Sequence, residues 1–185
     1  WEGGEYDGDD DDRVSLFEAI GTSPSPPRYL DVELALWKRS ANLRQKILLA
    51  IEHADQRRDG PPRLILSSHD FDGRPADLTR RLAAMSDEEA CAVVKIAWRA
   101  RSLRDNLEAF ELLRNRQKPT IALCMGPFGL PSRVLAKKFG ALLTFASAEG
   151  APVTAPGQPT VRQLRRTYRW DAIGPRTRFY GLVGW

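Results

Sequence analysis

Arg63-Leu-Ile-Leu-Ser-Ser-His-Asp-Phe71 and Ala92-Val-Val-Lys-Ile-Ala97 are two short stretches, each built on an apolar run and each carrying one chemically capable side chain, His69 and Lys95. Mostly apolar runs of five or six residues suit parallel strands buried on both faces. Working outward, the first of these strands is read as Arg63 to Ser67, and three further runs of the same kind are Tyr29 to Leu34, Thr120 to Met125 and Ala141 to Ala146. The segments between them have helical spacing. Ala41 to Arg57 carries Leu43, Ile47, Leu48 and Ile51 on one stripe, and Ser102 to Arg114 carries Leu103, Leu107, Phe110 and Leu113. Ser102 with Asp105 three residues on resembles a capping box. Pro131 to Phe139 predicts a shorter helix ended by Gly140, and Thr160 to Trp170 predicts another. Strands alternating with helices at this spacing mean βαβ units and a parallel sheet, either doubly wound or part of an eightfold barrel, which periodicity alone does not separate. No G-x-G-x-x-G follows a strand, which weighs against dinucleotide binding, and Gly126-Pro-Phe-Gly129 lacks the Lys-Ser/Thr of a phosphate-binding loop.

Composition bounds the function classes. The 185 residues suit one domain, or one domain and a piece of another; 42% are hydrophobic and 28% charged, as in ordinary globular proteins. No apolar run approaches the roughly 18 residues of a membrane span. Two cysteines, Cys91 and Cys124, read as reduced buried thiols and favour a cytoplasmic setting. With two His and no C-x-x-C or H-x-x-x-H spacing, no metal site is expected. The net charge of +4 is unevenly placed: Asp7 and Asp9 to Asp12 form an acidic cluster read as a solvated loop, and Arg162, Arg165, Arg166, Arg169, Arg176 and Arg178 a basic end read as a solvated helix face. No nucleic-acid-binding module accompanies the basic residues, so no nucleic-acid partner is expected.

Parallel barrels place their working groups at the C-terminal ends of strands. His69, at such an end, suits general acid/base work, and suits a structural role as well. Lys95, flanked by apolar residues, either snorkels to the surface or points inward, where burial lowers the pKa of an amine and frees it to form an imine with a ketone. The two lie on successive strands, about 4.8 Å apart in a sheet. An imine acidifies the neighbouring C–H, and an adjacent base can remove that proton, so the pair fits Schiff-base lyase chemistry. Asp31 and Glu33 alternate along the first run and face one side, to orient a base or to pair with an Arg. Arg133 suits bidentate binding of a carboxylate or a plain surface position. Thr154-Ala-Pro-Gly-Gln158 is a turn, able to close over a site or to serve none.

Several motifs together resemble one family in order: Ser68-His-Asp-Phe71, Val94-Lys-Ile-Ala97, Met125-Gly-Pro-Phe-Gly-Leu-Pro-Ser-Arg133, Leu143-Thr-Phe145 and Ala155-Pro-Gly-Gln158, with Glu2-Gly-Gly4 and Leu30-Asp-Val-Glu33 before them. They are similar to the type I 3-dehydroquinate dehydratases, and the match runs from Glu2 to about Trp170. The resemblance implies an eightfold α/β barrel and dehydration of 3-dehydroquinate to 3-dehydroshikimate in aromatic amino-acid biosynthesis. It implies that Lys95 forms the imine, that His69 shuttles the proton and helps expel water, and that Glu2 orients His69. It implies that Arg133 binds the substrate carboxylate, that Gln158 and Thr154 (where relatives often have Ser) contact substrate from a closing loop, and that Met125 and Phe145 line the pocket. No cofactor or metal is implied.

Family barrels begin with three more strands carrying further substrate-binding residues, so residues 1–172 are expected to be a partial barrel, which alone would be aggregation-prone or poorly active. Gly174 to Gly184 resembles the opening of a shikimate dehydrogenase domain, which predicts a linker and first strand over 173–185 and a fused dehydrogenase beyond. The expected partner is a small-molecule substrate, with a homodimer allowed and a membrane not. The alternatives are another Schiff-base lyase such as a class I aldolase, against which Arg133 and the Ala-Pro-Gly-Gln turn argue, and a degenerate, non-catalytic barrel.

Overall fold

The computed structural model describes residues 7–52, 63–151 and 155–180. It divides into two compact units, one running to Trp98 with Gln117–Thr120, the other comprising Arg99–Arg116 and the residues from Ile121 onward.

In the first unit the elements are α1 (Asp10–Gly21), β1 (Tyr29–Glu33), α2 (Leu34–Arg39), α3 (Ala41–Ile51), β2 (Arg63–Asp70), α4 (Leu78–Ser86) and β3 (Cys91–Arg99, of which Arg99 falls in the second unit). β1, β2 and β3 form a parallel ladder in that order. Glu33 stands opposite Ser67, Ser67 opposite Lys95, and His69 opposite Ala97. The register slips once, between Leu64 and Ile65, whose partners are Cys91 and Val93, so that Ala92 is an extra residue on β3. One face of the ladder carries Leu30, Val32, Leu64, Leu66, Val94, Ile96 and Trp98, all buried. The other carries Asp31, Glu33, Ile65, Ser67, His69, Val93 and Lys95. Both faces are therefore loaded, as the apolar runs predict, but the second face holds the polar side chains.

The acidic cluster is not a loop. Asp9 is the N-cap of α1, its carboxylate accepting from the Asp12 amide at 2.8 Å, and Asp10, Asp11 and Asp12 fill the first turn. Carboxylates there meet the positive end of the helix dipole and its unsatisfied N–H groups. Asp10 also pairs with Arg39 at the end of α2. β1 stops at Glu33, and Leu34, expected in the strand, opens α2. α3 begins as predicted at Ala41, capped by Ser40; residues 53–57 of the expected helix lie outside the described residues.

The second unit holds α5 (Asp105–Arg114), the bulk of β4 (Thr120–Met125, all buried), α6 (Leu130–Val134) and α7 (Ala136–Phe139). The expected helix over Pro131 to Phe139 is thus two short ones joined at Leu135, and Gly140 ends the second in the left-handed conformation with φ 78°. Phe110 of α5 stacks on Phe139 at 4.0 Å between ring centroids, and Leu135, Val134, Trp170 and Ile173 close the core around them.

Three expectations are corrected here. Ala141 to Ala146 is not a strand: backbone pairing is confined to a single parallel bridge between Ser147 and Thr160, and Leu142 is exposed rather than buried. Extended backbone becomes a strand only where a partner runs beside it, and the partnering segment here is one residue long. Thr160 to Trp170 does not form one α-helix. Its turn widens to a π-helix over Gln163–Thr167, with the Tyr168 amide donating to the Gln163 carbonyl at 3.1 Å, and a left-handed Arg169 (φ 50°) separates it from a 3₁₀ turn at Trp170–Ala172. The reciprocal capping box lies at its start, not at Ser102. The Gln163 amide donates to Thr160 Oγ1 at 3.1 Å and the Thr160 amide to Gln163 Oε1 at 2.9 Å. At α5 only half of that arrangement exists, with Asp105 accepting from the Arg101 amide at 2.7 Å and from Ser102.

Replacing Asp9 with alanine removes the α1 cap and is expected to lower stability by about 0.5–2 kcal/mol in urea denaturation. An unchanged midpoint would mean that Asp10 to Asp12 satisfy the helix end without it.

Candidate active site

The site of the first unit is built by strand register. Residues opposite one another in a parallel ladder point to the same side, and along each strand the sides alternate. Glu33, Ser67 and Lys95 therefore form one row, Asp31, Ile65 and Val93 the row before it, and His69 and Ala97 the row after. The structure brings together Asp31, Glu33, His69 and Lys95, four of the residues singled out in the sequence, on one face. Both acids are paired. Asp31 accepts a hydrogen bond from Lys95 Nζ at 2.7 Å, with side-chain exposures of 35% and 13%. Glu33 accepts one from Arg13 of α1 at 2.8 Å. Arg13 carries no site signal in the sequence, where its helix looks like part of an acidic loop. Between the pairs, the Ser67 hydroxyl is buried and has no hydrogen-bond partner among the described residues.

A tight turn holds His69 at the end of β2. The Asp70 carboxylate accepts from the Asp72 and Gly73 amides, both at 3.1 Å, which turns the chain sharply after the strand. The Phe71 ring then sits 6.4 Å from the imidazole, tilted by 33°. Glu2, expected to orient His69, lies outside the described residues.

In the second unit the Gly-Pro-Phe-Gly-Leu-Pro-Ser-Arg segment leaves β4 and is pinned by two buried polar side chains. Asn106 Nδ2 donates to the carbonyls of Leu103 and Phe128 at 2.9 and 2.8 Å, and its Oδ1 accepts from the Ser132 amide at 3.0 Å. Ser132 Oγ accepts from the Cys124 amide at 2.8 Å and donates to the Gly129 carbonyl at 2.7 Å. Arg133 is the next residue. It is only 2% exposed, its Nε has no partner, and among the described residues no carboxylate pairs with it. Burial holds its guanidinium below the ordinary value, while the Cys124 thiol beside it is pushed up to about 12, chiefly by burial. The plain surface position for Arg133 is thus wrong. A buried cation with no anion is costly to hold, so the arrangement suits a site that receives one.

The same unit places the other expected residues near this segment. Met125 ends β4, buried, and the next amide, Gly126, donates to the Pro156 carbonyl at 2.9 Å. Gly157 has φ +72°, and a Cβ there would stand 2.2 Å from the Gly126 carbonyl oxygen, so the Ala155 to Gln158 turn rests on the end of β4 and admits only glycine at its closest point. Gln158 comes directly after it. Phe145 is half-buried beside Thr144, whose hydroxyl donates to the Arg133 carbonyl at 3.0 Å. Thr154 lies outside the described residues. Asn106 is the residue that sequence reading misses, since it looks like one more polar position on a helix. No grouping of His, Cys, Asp and Glu able to hold a metal occurs among the described residues, and no helix there is long and apolar enough to cross a membrane.

Residues 1–175 match the family model described as type I 3-dehydroquinase. The chain belongs to the type I 3-dehydroquinase family. It is 36% identical over 189 residues to a chloroplastic bifunctional 3-dehydroquinate dehydratase/shikimate dehydrogenase of Arabidopsis thaliana, which covers 100% of this chain and 29% of that protein. It is 34% identical to a 3-dehydroquinate dehydratase of Desulfotalea psychrophila, covering 89% of this chain and 70% of that one. Its structure is similar to that of the 3-dehydroquinate dehydratase from Geobacillus kaustophilus, with a TM-score of 0.70 and 28% identity over 91% of this chain and 63% of that one. This 3-dehydroquinase-family chain therefore spans under a third of the plant relative and somewhat under two thirds of the solved structure. Its parallel α/β architecture is of the eightfold-barrel class that the motifs predict.

Asn106→Ala would take their side-chain partner from the Phe128 carbonyl and the Ser132 amide, while the Leu103 carbonyl keeps the Asn106 backbone amide at 3.3 Å. The expected loss is about 1–3 kcal/mol for each group left buried and unsatisfied, read by denaturant unfolding. A variant as stable as the parent would show that water replaces the amide and that the segment before Arg133 is not held by it.

Proposed function

We propose that this protein dehydrates 3-dehydroquinate to 3-dehydroshikimate through an imine on Lys95, in the shikimate pathway. The observation that carries the reading is the placement of Lys95 and His69 on one face of adjacent strands, a row apart, in a chain of this family.

In this reading Lys95 gives up a proton, for which Asp31 is the hydrogen-bonded acceptor, and its amine attacks the ketone carbon. The ketone oxygen leaves as water. His69 then takes the proton from the carbon next to the imine, and the electron pair is held as an enamine. The enamine expels the hydroxyl group one carbon further on, His69 returns the proton, and a second water departs. Hydrolysis of the imine consumes one water and frees the product, so the net change is the loss of one water. Glu2 orients His69 and Glu33 is held on the same face by Arg13. Arg133 pairs with the substrate carboxylate, a role supported by its burial with no carboxylate partner among the described residues. Met125 and Phe145 line the pocket, and Gln158 and Thr154 contact the substrate hydroxyls from the closing turn. Each step is a proton transfer or addition that side chains can perform, so no metal or cofactor is called for.

Residues 1–172 are assigned to the dehydratase barrel. Residues 173–185 are assigned to the linker and first strand of a shikimate dehydrogenase domain, as in the bifunctional plant relative; residues 181–185 of that expected strand lie outside the described residues. Both cysteines are unpaired and buried, which fits the reducing conditions of the cytoplasm.

The test is borohydride reduction of the natural full-length protein incubated with 3-dehydroquinate, followed by mapping of the modified residue. The expected result is a reduced adduct on Lys95 that disappears in Lys95→Ala. In His69→Ala the adduct should persist while turnover falls by roughly 10²–10⁴-fold, the usual worth of a positioned acid/base. A folded, unsubstituted protein that yields no adduct would sink the reading.

A further inference from the structure

We infer that Ser67 is a catalytic residue of the imine-forming step, its hydroxyl donating a hydrogen bond to the ketone oxygen as that oxygen becomes the carbinolamine hydroxyl and leaves as water. The inference rests on the dehydratase reading and adds a residue to it.

Three observations support it. First, Ser67 stands directly opposite Lys95 in the β2–β3 register and directly opposite Glu33 in the β1–β2 register, so its side chain lies in the middle of the row that carries the amine. Second, it is 1% exposed and its hydroxyl has no hydrogen-bond partner among the described residues. Neighbouring Ser68, on the other face of the same strand, does have one, accepting from Arg81 Nη1 at 3.1 Å. A hydroxyl in dry surroundings is normally bonded, and one left open beside a nucleophile is a group waiting for an acceptor or donor that arrives with the ligand. Third, the Lys95–Asp31 pair explains how the hydroxyl is kept covered. β1 and β3 flank β2, so their backbones are about 9–10 Å apart. A 2.7 Å contact between Lys95 on β3 and Asp31 on β1 has to cross the face of β2, slanting from the row of Ser67 to the row of Ile65. At rest the lysine side chain therefore crosses the face of β2 between the rows of Ser67 and Ile65. When the amine leaves Asp31 to attack a carbonyl, the hydroxyl is uncovered next to the bond being made.

The chemistry balances without another reactant. A C=N double bond replaces the carbonyl C=O double bond, by way of the carbinolamine. The Lys95 ammonium carries three protons, two of which leave in the water while one stays on the iminium nitrogen. Asp31 can take and return a proton on the way. Ser67 itself ends unchanged, as a donor to oxygen while charge builds there, and it serves in the same way when water re-enters to release product.

The test compares Ser67→Ala and Ser67→Thr with the unsubstituted full-length protein by rapid mixing with 3-dehydroquinate and borohydride quenching at a series of times. In Ser67→Ala the adduct on Lys95 should still reach completion but accumulate at least tenfold more slowly. Its thermal midpoint should be unchanged or higher, because the buried hydroxyl removed has no hydrogen-bond partner among the described residues. Ser67→Thr, which keeps the hydroxyl, should recover most of the rate. If Ser67→Ala forms the adduct at the parent rate, or if it melts earlier and the threonine variant is equally slow, Ser67 is structural and the proposal is overturned while the dehydratase reading stands. If the unsubstituted protein forms no adduct, the dehydratase reading fails and the role of Ser67 falls with it.

Discussion

The parallel register of β1, β2 and β3 is the constraint on which the site of the first unit depends. Side chains alternate along a strand with a period of two, so a slip of one residue between β2 and β3 would turn Lys95 to the side that carries Val94, Ile96 and Trp98 and remove it from His69 altogether. What resists that slip is the apolar face. Val94, Ile96 and Trp98 are all buried beside Leu64 and Leu66, and the slip would exchange these three for Val93, Lys95 and Ala97, burying the Lys95 ammonium among apolar side chains. The single irregularity, the extra residue at Ala92, comes before Val93. From Val93 onward the two strands run in step, and Ser67, His69 and Lys95 lie in that regular stretch.

The second unit depends on a different device. Arg133 is buried without a carboxylate partner among the described residues, a costly placement that asks for a fixed backbone. Asn106 and Ser132 supply that fixture through hydrogen bonds to β4, to the 3₁₀ turn at Pro127–Gly129 and to the start of α5. Removing water from these groups and satisfying them internally gives the loop one conformation. The cost of the naked guanidinium is thereby carried by the fold rather than relieved by a rotation of the side chain into solvent. The Ala155 to Gln158 turn is tied to the same strand end by the Gly126 amide and by the close approach of Gly157.

Legibility in the sequence depends on which signals are local. The runs at Arg63, Ala92 and Thr120 form strands because mostly apolar, five- or six-residue stretches have few other uses, and Gly140 ends a helix because a left-handed residue at that point favours glycine. The motif order is enough to name the family and alternation puts Asp31 and Glu33 on one side, but that His69 and Lys95 share that face comes from the strand register. The failures share a cause as well. Ala141 to Ala146 has the composition of a strand, but strand formation needs a partner, and pairing there is limited to Ser147. Asp9 to Asp12 looks like solvated charge because no strong apolar stripe announces α1 behind it. The box at Thr160 and Gln163 is masked by the one suggested at Ser102, where a long helical stripe begins although the helix itself starts three residues later. Asn106 and Arg13 carry no motif, and their importance lies in what the fold brings to them.

Lys95 shows the limit of reasoning from burial alone. A lysine among apolar strand residues suggests an amine altered by desolvation. The structure adds a partner that no sequence pattern displays, because Asp31 is 64 residues away and on a strand that does not pair with β3. That partner changes the physical argument. An amine bridging β2 to reach a carboxylate is held stretched away from its own row, with a proton acceptor already bonded to it. In the proposed reaction, turning toward a carbonyl would break the 2.7 Å pair with Asp31 and pass a proton along it. The proposed reactivity at this position therefore depends on three adjacent strands in register, with Asp31, Ser67 and Lys95 spaced across them.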